Sequence, residues 1–145
     1  ILESYGALSI QGESLCVRFS RRTGQLVSLC RKGQEYLSAP LRPSFWRACT
    51  DNDRGNHMPV RCAVWRFAGQ NCIYAPYTVA AQDAPRGVVR VTSRFIIPSE
   101  PACDGVLTYT ITQAGVLVEL QFQPDGRLPE LPEVGVCFET AASYE

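Results

Sequence analysis

The run Pro43-Ser44-Phe45-Trp46-Arg47-Ala48-Cys49-Thr50-Asp51-Asn52-Asp53-Arg54-Gly55 gathers more chemically capable side chains than any other stretch of this 145-residue chain. An aromatic pair leads into a cation, then into an Asp-Asn-Asp cluster closed by a glycine. Aromatic faces and carboxylate or carboxamide oxygens are what a protein uses to hold a sugar or a hard cation. Trp46 and Trp65 could stack on the apolar C–H face of a galactose-like sugar. Phe45 beside Trp46 and Val64 beside Trp65 instead point to core packing for at least one of them. Asp51, Asn52 and Asp53 could offer oxygens to Ca²⁺, Mg²⁺ or Na⁺. They lack the alternating acidic ligands and terminal glutamate of an EF-hand loop. The competing role is a turn or helix N-cap, because Asp and Asn side chains accept bonds from backbone N–H groups.

Acid–base chemistry finds little support. Glycoside hydrolysis needs two carboxyl groups held roughly 5–9.5 Å apart. Asp51 and Asp53 share a face only if the chain between them is extended, and no second acidic cluster supplies a partner. Glu119 and Glu139 sit in strand patterns, where a solvated face explains them. His57 is the single histidine and lies in the polar stretch Arg54-Gly55-Asn56-His57-Met58-Pro59, with no nucleophile motif nearby. The expectation is an exposed loop histidine, no catalytic residue and no metal ligand.

The elements that must position these residues are strands. Val118-Glu119-Leu120-Gln121-Phe122-Gln123 and Leu107-Thr108-Tyr109-Thr110-Ile111-Thr112 alternate apolar and polar residues strictly, and Gln113-Ala114-Gly115 joins them as a hairpin. Val88 to Ile97 is a third strand, between the turn Ala84-Pro85-Arg86-Gly87 and Pro98. Leu15 to Phe19 and Leu26 to Leu29 flank Arg21-Arg22-Thr23-Gly24, and Arg31-Lys32-Gly33-Gln34 turns the chain into Glu35-Tyr36-Leu37. Strands of this length and spacing indicate an all-β sandwich. One or two helical turns are expected within 60–68, where Val60, Val64 and Phe67 fall at helical spacing and Gly69 follows. Pro132 to Thr140 is a last strand, after which Tyr144-Glu145 shows no capping or turn chemistry. An open edge there invites pairing with a second copy. The chain is expected to be one domain, 1–145, and part of something longer.

Composition narrows the partners. Fourteen basic residues balance fourteen acidic ones, so no basic excess is available for nucleic acid or anionic lipid. No apolar run approaches the ~20 residues of a membrane helix. Seven cysteines form no C-x-x-C pair. They are expected to be reduced thiols packed as small hydrophobes, as in Leu15-Cys16-Val17 and Val136-Cys137-Phe138, in a cytoplasmic protein.

The segment Phe45-Trp46-Arg47-Ala48-Cys49-Thr50-Asp51-Asn52-Asp53-Arg54-Gly55 resembles the Phe-Trp-Arg-Ala-Pro-Thr-Asp-Asn-Asp-x-Gly signature of the small-chain domain of large bacterial β-galactosidases. Phe19 to Leu26 is similar to that domain's Phe-x-x-x-x-Gly-x-Leu hairpin, Leu41-Arg42-Pro43 to its approach, and Val134-Gly135-Val136 to its Ile-Gly strand. The resemblance covers essentially the whole chain. It implies a β-supersandwich of galactose-mutarotase type, the N-terminal portion of a non-catalytic domain that follows a catalytic barrel in a glycosidase. Its implied contribution is a rim to the galactoside pocket, placing Trp46, Arg47, Asp51, Asn52, Asp53 and Gly55 near substrate and making Gly55 to Arg61 a mobile loop. The parent would use Mg²⁺ and Na⁺, with no cofactor held by this portion. The alternative is an autonomous carbohydrate-binding β-sandwich. Cys49 departs from the pattern, standing where the family has proline. Asn56-His57-Met58-Pro59 lacks the glutamate that some members place near a metal.

Overall fold

A computed structural model describes residues 1–83 and 87–140. Residues 84–86 of the Ala84–Gly87 turn lie outside the described residues, as does the chain end at Tyr144-Glu145. Five strands, β1 (Leu2–Glu3), β2 (Ala7–Gln11), β3 (Leu15–Ser20), β4 (Leu26–Arg31) and β5 (Gln34–Glu35), form an antiparallel meander in chain order. The chain then runs through β6 (Leu37–Ser44) into a short helical region. It returns as β7 (Ile73–Tyr74), β8 (Thr78–Asp83), β9 (Val88–Ile97), β10 (Cys103–Ile111) and β11 (Val116–Phe122). These build a second antiparallel sheet in the order β11-β10-β9-β7, with β8 also pairing with β9. Last, β12 (Gly135–Thr140) pairs antiparallel with β6.

Period-two patterning produces the sandwich. In β9 the buried residues are Val89, Val91, Ser93, Phe95 and Ile97; in β10 they are Cys103, Gly105, Leu107, Tyr109 and Ile111. That face packs on the meander: Phe19 of β3 meets Tyr109 of β10 edge-on at 5.0 Å between ring centroids. The Ser93 hydroxyl donates to the Thr23 carbonyl at 3.0 Å. Each large apolar side chain buried this way contributes about 1.5–3 kcal/mol. Gly105 is required by contact: a Cβ there would lie 2.1 Å from the Phe95 ring, which crosses its cross-strand partner. The all-β antiparallel sandwich expected from the sequence is the fold.

The helical region departs from expectation. It begins at the acidic cluster, with α1 (Asp51–Gly55), α2 (Met58–Arg61) and a 3-10 turn at Ala63–Trp65, rather than as one helix within 60–68. The core-facing positions also differ. Met58, Cys62, Trp65 and Ala68 are buried, while Val60 is 76% exposed and Phe67 52%. Both sets have helical spacing, and the set that carries Trp65, packed against the Phe45 and Phe122 rings, occupies the core. Gly69 closes against β6, where a Cβ would come within 2.0 Å of the Pro43 carbonyl oxygen, so close approach explains this glycine.

The cysteines divide. All seven are free thiols, yet only Cys62 and Cys103 are core residues. Cys49 and Cys72 pack at the core's margin, whereas Cys16, Cys30 and Cys137 lie outside the apolar cluster. Apolar neighbours in a strand point to the opposite face, so Leu15 and Val17 do not bury Cys16.

Candidate functional site

The signature segment leaves β6 at Ser44 and crosses the mouth of the sandwich. Phe45 is its anchor. Its ring lies 4.5 Å from Phe122, 6.1 Å from Trp65 and 6.5 Å from Phe95. Trp65 is fully buried, and its indole N–H donates to the Pro129 carbonyl at 3.0 Å. Trp65 is therefore structural. Trp46 is half-buried and lines an open cleft of about 240 Å³ with Arg42, Ser44, Arg66 and Gln70.

Arg47 and Asp53 are brought together across six residues. The guanidinium grips the carboxylate with both terminal nitrogens, one at 2.9 Å. The same carboxylate accepts from the Thr50 backbone N–H at 2.8 Å and from the Thr50 hydroxyl at 2.8 Å. Thr50 returns a bond, its hydroxyl accepting from the Asp53 N–H at 3.3 Å. This is a capping box, in which Thr50 is the N-cap and Asp53 the third helical residue. Paired to Arg47 first, and bonded to Thr50 besides, Asp53 is held well below the usual carboxylate range. Arg47 also donates through Nε to the Pro132 carbonyl at 3.2 Å. One arginine thus ties the α1 N-terminus to the segment that precedes β12.

The other signature residues do not converge. Asp51 is almost fully exposed and pairs with Arg54 at 3.0 Å. Asn52 and Gly55 face solvent. With both Asp53 oxygens taken, the segment offers no shared position to Mg²⁺ or Na⁺. Among the described residues, no three His, Cys, Asp or Glu side chains could hold a metal together. The residues present do not fit such an ion.

Within Gly55 to Arg61, Gly55 ends α1 and Met58–Arg61 forms α2, with Asn56 and His57 between them. Gly55 has an ordinary helical backbone, and a Cβ there would meet nothing. The residue in the left-handed region is His57, with φ 60°, at the N-cap of α2. His57 is exposed, as expected. The Asn56 side chain accepts from the Met58 N–H at 3.0 Å, and Arg61 donates through Nε to the Asn56 carbonyl at 3.1 Å. Arg61 also pairs with Glu130. Sequence reasoning missed this strap, 123–134, which is pinned on the helical region by Arg47, Arg61 and Trp65. The missed signal was Leu128 and Leu131, now packed on the core, in a stretch without strand periodicity.

Acid–base capability is weak throughout. Among the described residues, every carboxyl whose pKa is displaced is displaced downward. Arg127 pulls Asp125 to about 2, and Arg61 lowers Glu130. Burial pushes Glu35 up, but the Ser28 hydroxyl and the N–H groups of Leu37, Leu29 and Tyr36 outweigh it. A general acid needs the opposite shift.

The two flanking motifs of the resemblance also meet. Val136 pairs with Pro43 and Gly135 with Ser44, so Leu41-Arg42-Pro43 and Val134-Gly135-Val136 join β6 to β12 just before the signature. The chain as a whole is similar in sequence to known proteins. The beta-galactosidase of Priestia megaterium is 33% identical over 144 residues, covering 95% of this chain and 13% of the relative. The beta-galactosidase of Clostridium acetobutylicum is 28% identical over 138 residues, covering 94% of this chain and 15% of its own length. The beta-galactosidase small subunit of Latilactobacillus sakei is 32% identical over 149 residues, covering 90% of this chain and 47% of the subunit. The chain therefore spans less than half the length of these relatives. The family model described as "Beta galactosidase small chain" matches residues 11–145. With nearly its whole length inside that match, the chain belongs to the beta-galactosidase small-chain family.

Proposed function

We propose that this chain serves a larger β-galactosidase as a non-catalytic domain, scaffolding the galactoside pocket and lending it a rim from the Asn56–Arg61 region. The observation that carries this reading is the Arg47–Asp53–Thr50 knot. It holds a polar, solvent-facing helical turn at a set position on a rigid aromatic platform. The turn itself contributes no acid, base or metal ligand. Hydrolysis of terminal β-D-galactosides would then rest on carboxylates in the barrel, the domain's partner within the parent polypeptide. Any Mg²⁺ or Na⁺ would likewise be held elsewhere, and a cytoplasmic location fits seven free thiols.

The test is kinetic. In the full parent enzyme, substituting Asn56 and His57 by alanine is expected to raise KM for a chromogenic galactoside while the enzyme stays folded. Unchanged KM and kcat would remove the rim role and leave scaffolding. The isolated chain is expected to show no hydrolysis; turnover by the purified chain, free of host enzyme, would overturn the non-catalytic assignment. A second reading, an autonomous sugar site, rests on the Trp46 cleft with its Arg42, Arg66 and Gln70 walls. Titrating galactose while following tryptophan fluorescence separates the two, because only the second expects Trp46 to respond in the isolated chain.

A further inference from the structure

Cys16 on β3 and Cys30 on β4 stand directly opposite each other in the meander. Both are half-exposed. Cross-strand partners share a face, and the next pair along, Val17 and Leu29, faces the core. The two thiols therefore project together from the sheet's outer face, in one row with Gln11 of β2 and Glu35 of β5. The Glu35 carboxylate is engaged by Ser28 and three backbone N–H groups, so it does not reach into the pair as a ligand partner.

The hydrogen-bond phase of this ladder places the pair further. Lys32 N–H donates to the Ser14 carbonyl at 2.8 Å, while Leu15 and Leu29 direct their carbonyls away from the β3–β4 seam, to Gly12 and Tyr36. Alternation then makes Cys16 and Cys30 a hydrogen-bonded pair, with Cα atoms about 5.5 Å apart. That separation lies inside the roughly 4.4–6.8 Å range of disulfides. The Cβ atoms of such pairs start about 5 Å apart and must approach by roughly an ångström. A bulge between Arg18 and Phe19, two residues along, adds local twist that eases this approach. A bond closed this way is strained, hence labile to reductant rather than permanently structural.

We propose that Cys16 and Cys30 form a reversible dithiol modification site, oxidised to a cross-strand disulfide by small-molecule disulfides such as glutathione disulfide. One thiolate attacks a sulfur of the oxidant, forming a mixed disulfide and releasing one glutathione thiolate. The second cysteine, deprotonated, attacks the protein sulfur of that mixed disulfide and releases the other. The protein loses two protons and two electrons, and one glutathione disulfide becomes two glutathione molecules. The core thiols Cys62 and Cys103 have no access to this chemistry.

The experiment treats the intact folded protein with excess glutathione disulfide, quenches with acid, alkylates remaining thiols and maps tryptic peptides by mass. The expected product joins the peptide ending at Arg18 to the peptide Thr23–Arg31, and it disappears when reduced glutathione replaces the oxidant. In C16S, Cys30 is expected to accumulate as a glutathione mixed disulfide, and C30S should trap Cys16 in the same way. Wild-type protein in which both cysteines stay separately alkylated, each carry glutathione, or link to other cysteines would overturn the proposal.

Discussion

The sheets and the signature segment are held by different forces. Between the meander and β9–β10, adhesion is apolar area spread over many interchangeable side chains, such as Val17, Phe19, Val91, Leu107 and Tyr109. Across 45–69 and its strap, it is a few directed bonds from Arg47, Thr50, Asp53, Arg61 and Trp65, laid over one aromatic anchor. Burial energy is non-directional, so the first region tolerates volume-conserving change. Hydrogen bonds are directional, and truncating one partner strands the other, so the second region is specific to residue type. The surface that presents the Asn56–Arg61 turn is thus held in position by chemistry, while the platform beneath it is held by area.

Truncating the residue shared by both regions tests this division most severely. Phe45→Ala is expected to cost about 3–5 kcal/mol, because its ring touches Trp65, Phe95 and Phe122. Denaturant unfolding measures it, and a loss under one kilocalorie would mean that the anchor is not shared. Next is Gly69→Ala, expected to cost about 1–3 kcal/mol, since the new methyl meets the Pro43 carbonyl rather than a side chain able to move. Thr50→Ala removes the N-cap together with the hydroxyl's bond to the Asp53 carboxylate and should cost about 1–2 kcal/mol, with faster amide exchange confined to the helical region. Equal acceleration across β9 and β10 would break the comparison, because the two regions would then open as one.

Acid provides a subtler probe. Asp53 and Glu35 both have lowered pKa values in the fold, so their stabilising contributions are complete above the ordinary carboxylate values, 3.8 and 4.5. As pH falls below those values the unfolded chain binds protons first, and stability declines toward the folded-state values. Asp53→Asn should flatten that decline in thermal unfolding between pH 4.5 and lower pH; an unchanged slope would detach the knot from acid lability. The smallest effect is expected at Asp51. Its ion pair with Arg54 is solvent-exposed, and Asp51→Ala should leave the unfolding midpoint within experimental scatter.

Much of this was legible without coordinates, and the exceptions share a cause. The β3–β4 and β10–β11 hairpins and strand β9 follow from alternation because a period of two states both the element and its buried face. The region 51–68 defeats the same logic. Two apolar sets at helical spacing, 60/64/67 and 58/62/65/68, compete there, and only tertiary packing, such as that of Trp65 on Phe45 and Phe122, selects the second. The capping box was visible as Thr50-x-x-Asp53, yet nothing in the spacing told whether Asp53 would face a cation, a metal or water. The strap 123–134 carries no periodicity at all, so its role rests on contacts to residues more than sixty positions away.

The amino-acid order by itself determined the sandwich class, the hairpins and the membership that the signature announces, because these depend on local alternation and on residue identity. Tertiary structure alone decided which helical face is buried, that Arg47 spends its charge on Asp53 and the Pro132 carbonyl, and that Cys16 faces Cys30 across the β3–β4 ladder. Those outcomes depend on which distant atoms come within bonding reach, and only the folded chain sets that distance.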